Sequence, residues 1–274
     1  MSNRFHISND GTPKKCKAKQ GKCPLGGSHF STQKDAQKFY ENHINEQLNI
    51  PSIINCDEYY TKTDYDERSK KFVESLNGEY SEIFIQDYVQ QEYTFVNESL
   101  WNTNNNDYFN TTVNNILSQN NGDPQNLWRI PPADSVHNLV DGKKVGDSIE
   151  LKGFTSTSEN PRAVMPMMIN HTTMYMNEVP HEEWERKGLF GVKIPEDYLK
   201  KDPNIVFQFV TSMGKETSQL SHMPQEKEVL LPARTKWKIV GIKKNIKFST
   251  NKNMLGENGF QEESQATVYQ LMEA

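Results

Sequence analysis

The second half of the chain is a series of short strand-like segments separated by turns, and this pattern constrains the fold more than any other feature. After Asn126 come LWRI, SIELKGFTSTS, GLFGVKI, IVFQFV, EVLLPA and KWKIVGIK, all rich in β-branched or aromatic residues. Upstream, the pattern is helical. FVESLNGEYSEIFIQDYVQQEYTFVNESLW, from Phe72 onward, puts Ile83, Phe84, Tyr88, Tyr93 and Phe95 on buried faces. A second helix is predicted through Val113, Ile116 and Leu117, and NNGDPQ then breaks it. Helices followed by a mainly antiparallel β core make the expected class α+β. PRAVMPMMINHTTMYMNEV is a Met-rich helical or loop insert, and its methionines are read as core filler.

Residues 1–46 are expected to form a separate small unit, 47–71 a linker, and 72–274 the main domain. The first unit opens with the Lys-, Gly- and Pro-rich GTPKKCKAKQGKCPLGGSHF. It continues into a helix whose N-cap is Ser31 or Thr32, with Asp35 in its first turn. Three cysteines, Cys16, Cys23 and Cys56, cannot all pair within one chain, which argues for a reducing compartment. Cys16, Cys23 and His29 are candidate zinc ligands, with His6 or His43 as a fourth. Their C-x₆-C-x₅-H spacing is not that of a standard finger, and the alternative is a small Gly/Pro-folded unit without metal.

The formal net charge of −5 gives no global pull toward nucleic acid. The N-terminus has no apolar run of the secretory kind, and no segment reaches the roughly 18–20 apolar residues of a membrane span. A cytoplasmic protein, or one delivered into a host cell, is expected, with no membrane partner and as a monomer.

Three local patterns carry chemistry, and they occur in one order. Leu127-Trp128-Arg129 puts an Arg at the end of a short strand. Phe154-Thr155-Ser156-Thr157-Ser158 runs a strand into a hydroxyl cluster. Glu226-Lys227-Glu228-Val229-Leu230-Leu231 sets two carboxylates two apart at the start of an apolar strand. On an extended strand that spacing puts both on one face, about 6.5–7 Å apart at the Cα atoms. Like charges so placed repel mildly, so structure alone gains nothing from them, whereas a catalytic cleft gains two acid/base positions. Taken singly, each pattern is weak: an Arg beside a Trp is commonly a packed surface pair, and Ser/Thr clusters are commonly turns or caps.

Together and in this order the three resemble the arginine, serine-threonine-serine, glutamate signature of one branch of the mono-ADP-ribosyltransferases. That branch includes clostridial binary toxins and vertebrate ecto-transferases. The resemblance spans roughly residues 72–247 and implies a split β-sheet core around an NAD cleft, preceded by helices. It implies that Arg129 grips the NAD diphosphate, where a bidentate guanidinium fits better than Lys. Trp128 and Ile130 beside it, and Phe154, are implied NAD-binding residues, and Thr157 and Ser158 would shape the nicotinamide pocket. Ser156 would orient Glu228, and Glu228 would stabilise the positive charge that grows as the glycosidic bond breaks. Glu226 would take the proton from the incoming nucleophile.

A Glu at the first position of this pair goes, in the family, with protein arginine as acceptor. The loop SMGKETSQLSHMPQ corresponds to the acceptor-recognition loop, with His222 and Gln225 as candidate contacts. Ile130-Pro131-Pro132 departs from the Gly that follows the Arg in many members. Arg162 is read as a surface charge or a phosphate contact. The N-terminal segment resembles short segments on otherwise unrelated proteins of Gram-positive bacteria and their phages. Competing functions are an NAD glycohydrolase, a transferase to RNA or DNA, and a β-rich binding or virion module.

Overall fold

A computed structural model describes residues 4–7, 13–16, 29–59, 108–119, 124–131, 139–169, 171–180, 194–200, 204–220, 226–252 and 258–274. The helices expected within 72–101, the strand expected over most of GLFGVKI, and Cys23, His222 and Gln225 lie outside these residues.

The described elements are mixed α and β. Two short strands, β1 (Phe5–Ile7) and β2 (Pro13–Lys15), pair antiparallel at the N-terminus. Helix α1 (Gln33–Leu48) follows, capped by Thr32, whose Oγ1 accepts from the Asp35 amide at 3.1 Å. Helix α2 (Tyr108–Leu117) buries Val113 and Leu117, while Ile116, the third residue its periodicity marks, is half-buried. Short helices α3 (His171–Glu178) and α4 (Glu196–Leu199) complete the described helices, apart from 3-10 turns.

The remaining strands are β3 (Ile53–Asn55), β4 (Gln125–Arg129), β5 (Ser148–Leu151), β6 (Thr155–Ser158), β7 (Asn204–Thr211), β8 (Lys215–Glu216), β9 (Glu228–Leu231), β10 (Thr235–Lys252) and β11 (Asn258–Glu273). They form one nine-stranded sheet in the order β3-β10-β11-β7-β4-β6-β9-β8, with β5 also paired to β10. The β10–β3 and β11–β7 pairs are parallel, and the others are antiparallel.

Two features depart from the sequence expectation. The segment expected as KWKIVGIK is an 18-residue strand, and it pairs with a 16-residue strand that turn and propensity signals did not single out. Its length lets β10 pair β5 along Thr235–Lys238 and β3 along Lys247–Ser249. Hence part of the expected linker, Ile53–Asn55, is an edge strand of the main sheet.

The boundary expected after residue 46 falls inside α1, which is tied to that sheet. Gln270 Nε2 donates to Leu48 O at 2.7 Å and to Gln208 Oε1 at 2.7 Å. Gln208 Nε2 donates to Gln47 O at 2.9 Å and to Asn126 Oδ1 at 2.8 Å. A helix end leaves carbonyls without intrahelical partners, and here two buried glutamines of the sheet satisfy two of them. Gly241 leaves room for this arrangement, since a Cβ there would lie 2.2 Å from Gln270 Oε1.

The sheet buries apolar side chains on both faces. One cluster packs Trp128, Val206, Phe248 and Val268 with Ile54 and Met165. The other packs Leu127, Phe207, Phe209, Trp237, Ile239 and Leu271. The methionine reading holds for Met165 and Met168, which are buried, while Met167 is 62% exposed. Trp237 is fully buried and meets Phe209 edge to face at 4.7 Å. Trp237→Ala is expected to cost about 3–5 kcal/mol, read as a lower urea midpoint.

Candidate active site

Strand β6 lies between β4 and β9, so all three sequence motifs meet side by side. Trp128 is the cross-strand partner of Ser158, and Ser158 is the partner of Glu228. Side chains alternate across a strand, so Ser156 and Ser158 project to the face that carries Glu228. The Ser156 hydroxyl donates to Glu228 Oε1 at 2.5 Å. The Thr217 hydroxyl donates to Glu228 Oε2 at 2.9 Å, and the Thr217 amide donates to Glu228 O at 2.9 Å. Both carboxylate oxygens are therefore held, one from each side of β9. Arg129, the last residue of β4, donates from Nη1 to Ser156 O at 2.5 Å.

The Thr157 and Ser158 hydroxyls hold the backbone of the same segment, while Thr155 Oγ1 donates to Gly153 O at 3.4 Å. Thr157 Oγ1 donates to Val229 O at 2.6 Å, and the Ser158 hydroxyl donates to Glu226 O. The Glu159 amide donates to Lys227 O at 3.3 Å. Thus Thr155–Ser158 pairs with Glu228–Leu231 through its ladder, and Ser156, Thr157 and Ser158 add side-chain bonds to Glu226–Val229.

The two carboxylates do not stand on one extended strand. Strand β9 begins at Glu228, and Lys227 has φ 49°, in the left-handed region that a non-glycine residue rarely occupies. Alternation therefore does not set the direction of Glu226, and the expected same-face spacing is corrected. Tyr59 O accepts from Lys227 Nζ at 3.4 Å.

Glu228 is 9% exposed. Burial pushes its carboxyl above the usual range, while the Ser156 and Thr217 hydroxyls and the Arg129 charge pull it back. Glu226 is half-buried, and its carboxyl is raised by burial and then by the Glu228 charge.

The remaining sequence candidates have clear placements. Trp128 is 1% exposed, in the core against Phe248, and its Nε1 has no hydrogen-bond partner among the described residues. Phe154 is buried, and Ile130 packs partly buried on the Trp128 cluster. Arg162 is not a surface charge. It is 3% exposed, bridges Glu262 at 2.9 Å, and donates from Nε to Lys252 O at 3.4 Å. Among the described residues, one His/Cys group has metal-ligand proximity: His6, Cys16 and His29. His43 is not part of it, since its Nε2 is 3.1 Å from Pro124 O.

Thr217 is the site residue that sequence reading missed. Its signal is weak, a single hydroxyl in a polar loop, and it becomes relevant only when β8 pairs with β9. Gly214 makes that approach possible, at φ +94° with Leu231 Cδ2 2.8 Å and Val229 Cγ1 2.9 Å from where a Cβ would sit. Gly214→Ala is expected to cost about 1–3 kcal/mol through overpacking and strain, measured by urea unfolding.

No family model matches the chain, and no curated protein matches it. Solved structures do. Plx2a, an ADP-ribosyltransferase toxin from Paenibacillus larvae, is 15% identical at a TM-score of 0.43, over 76% of this chain and 92% of that one. The enzymatic component C2-I of the Clostridium botulinum C2-toxin is 15% identical at a TM-score of 0.47, over 78% of this chain and 48% of that one. Exoenzyme S from Pseudomonas aeruginosa, solved with human 14-3-3 protein beta and bound to Carba-NAD, is 13% identical at 0.42, over 80% and 87%. These likenesses are low in identity and in TM-score, so the reading of the site rests on this chain's own geometry.

Proposed function

We propose that this chain is an NAD-dependent mono-ADP-ribosyltransferase that cleaves the bond between nicotinamide and ribose and passes ADP-ribose to protein arginine. The observation that carries this reading is the Glu228 carboxylate, buried at a strand start and held by the Ser156 and Thr217 hydroxyls with the Arg129 charge nearby. Cleavage develops positive charge on the ribose, and a fixed carboxylate in a poorly hydrated seat opposes that charge strongly without reorganising. Burial alone would favour the neutral acid. The two hydroxyls and the guanidinium favour the carboxylate, which is the form this role requires.

Nicotinamide leaves as a neutral molecule from a cationic nucleotide, so the leaving group needs no proton. An incoming nucleophile does have to lose one. Glu226 suits that task, since burial and the Glu228 charge both make it a stronger base than an ordinary carboxylate. Arg129 is assigned to the diphosphate.

Labelled NAD incubated with host lysate tests the reading. Wild type should label protein. Glu226→Gln should lose protein labelling while keeping NAD hydrolysis, and Glu228→Gln should lose both. Labelling that is resistant to the Glu228 change overturns the proposal. Hydrolysis without any labelled protein points to the glycohydrolase.

Ser156 is a positioning residue in this scheme. Ser156→Ala removes one charge-assisted hydrogen bond, so kcat should fall about 10–100-fold while KM for NAD stays nearly constant. A KM effect alone would sink the positioning role.

A further inference from the structure

The N-terminal hairpin gathers three ligand-type side chains from three separate stretches of chain. His6 lies in β1, and Cys16 directly follows β2. The Cys16 amide donates to Arg4 O at 2.8 Å, which closes that end of the hairpin. His29 precedes Phe30, and Phe30 exchanges two backbone hydrogen bonds with Phe5, at 2.8 and 2.9 Å. One ligand atom from each of His6, Cys16 and His29 lies within 4.8 Å of the others. The His6 and His29 rings meet edge to face at 6.1 Å.

We propose that His6, Cys16 and His29 bind one divalent transition-metal ion of the zinc class.

Three observations support the site. The first is an unsatisfied nitrogen. His6 is 7% exposed, and its Nδ1 has no hydrogen-bond partner among the described residues. A buried polar atom left in that state costs about 1–3 kcal/mol, and a metal bond at that nitrogen would remove the cost. The second is the donor set. Two imidazoles and a thiolate suit zinc, cobalt(II) and related ions, and disfavour calcium or magnesium, which take oxygen.

The third is structural need. Strands β1 and β2 have three residues each, so the hairpin depends on what it packs against, here helix α1 and the Phe30 backbone. A metal would tie both strands to the segment that leads into α1. Ligand atoms on one tetrahedral ion stand roughly 3.4–3.8 Å apart, so closure needs a contraction of about 1 Å, within the reach of side-chain rotation. A tetrahedral ion takes one more ligand. Water can fill that position.

The test uses the full chain, purified without a metal-affinity step, stripped of metal and titrated with zinc and then with cobalt(II). One ion per chain is expected, and the cobalt form should show a thiolate-to-cobalt charge-transfer band. His29→Ala should weaken zinc binding by more than about 100-fold, beyond what loss of an outer-shell partner produces. Cys16→His keeps a ligand at the position, so it should retain the ion and change the charge-transfer band. That pattern separates ligation from folding. Cys56→Ala, at a buried thiol elsewhere, should change neither readout. Less than one tightly bound ion per wild-type chain, or a cobalt spectrum unaffected by Cys16→His, overturns the proposal.

Discussion

Glu228→Gln is expected to stop NAD cleavage and to make the chain more stable. The activity loss follows from the charge. Glutamine keeps the shape and can still hydrogen-bond Ser156 and Thr217, but it presents no negative charge to the ribose. Removing one fixed electrostatic stabiliser typically costs about 10²–10³ in kcat, and a full charge should cost at least that. The stability gain follows from burial. The Glu228 carboxyl is raised in the folded chain, so between its unfolded and folded titration ranges the folded state binds more protons than the unfolded state.

Unfolding free energy then falls as pH rises through that window, which begins in the usual carboxylate range. Wild type loses this contribution on going to neutral pH, and the glutamine variant has nothing to lose. The two melting temperatures should therefore converge in acid and separate with rising pH, the variant being higher. Glu262 and Glu273 are raised too and keep those slopes in both proteins, whereas the Glu226 shift shrinks in the variant because part of it comes from the Glu228 charge, so the difference between the curves reports Glu228 together with its effect on Glu226. A variant that melts below wild type at neutral pH contradicts this account of the seat, even if activity is lost.

Arg162→Ala should cost about 3–5 kcal/mol, because it strands a buried carboxylate. Arg162 and Glu262 are 3% and 6% exposed and meet at 2.9 Å. The pair joins the turn after β6 to β11, and Arg162 Nε adds a bond to Lys252 O in β10. The Arg162 amide donates to Asn160 Oδ1, and the Asn160 amide donates to Ser158 Oγ. Loss of the pair therefore loosens the end of the hydroxyl strand that clamps Glu226 and Glu228. The double change Arg162→Met with Glu262→Leu removes both charges and should recover most of the stability, since a buried pair can be replaced by apolar side chains of similar volume at little cost. Urea midpoints of the three proteins check this. A single variant that unfolds like wild type refutes it.

Part of this arrangement was legible because it is local. The cap of α1, the apolar spacing in α2 and the short strands around Arg129, Ser156 and Glu228 each depend on neighbours within a few residues. The long β10–β11 hairpin was less visible. Its outer part is polar, as in IKKNIKFSTNK and NGFQEESQ, and strand signals there are diluted by exposed residues in β10 and by the buried polar Glu262, Ser264 and Gln265 in β11. Lys227 carries no sequence mark of a left-handed conformation, so Glu226 was expected on the strand. Arg162 was expected at the surface because a lone arginine is usually there, and its partner stands about a hundred residues away.

The chemistry the chain carries is written locally: an arginine, a hydroxyl strand and a carboxylate strand, each with its own propensity and in one order. Only the tertiary structure decided their geometry. Ser156 and Glu228 are 72 residues apart, and it is cross-strand pairing that brings a hydroxyl to each oxygen of the carboxylate. Propensity acts over a few residues. Burial, charge and strand register depend on the whole sheet, and they set the proton affinity on which Glu228 depends.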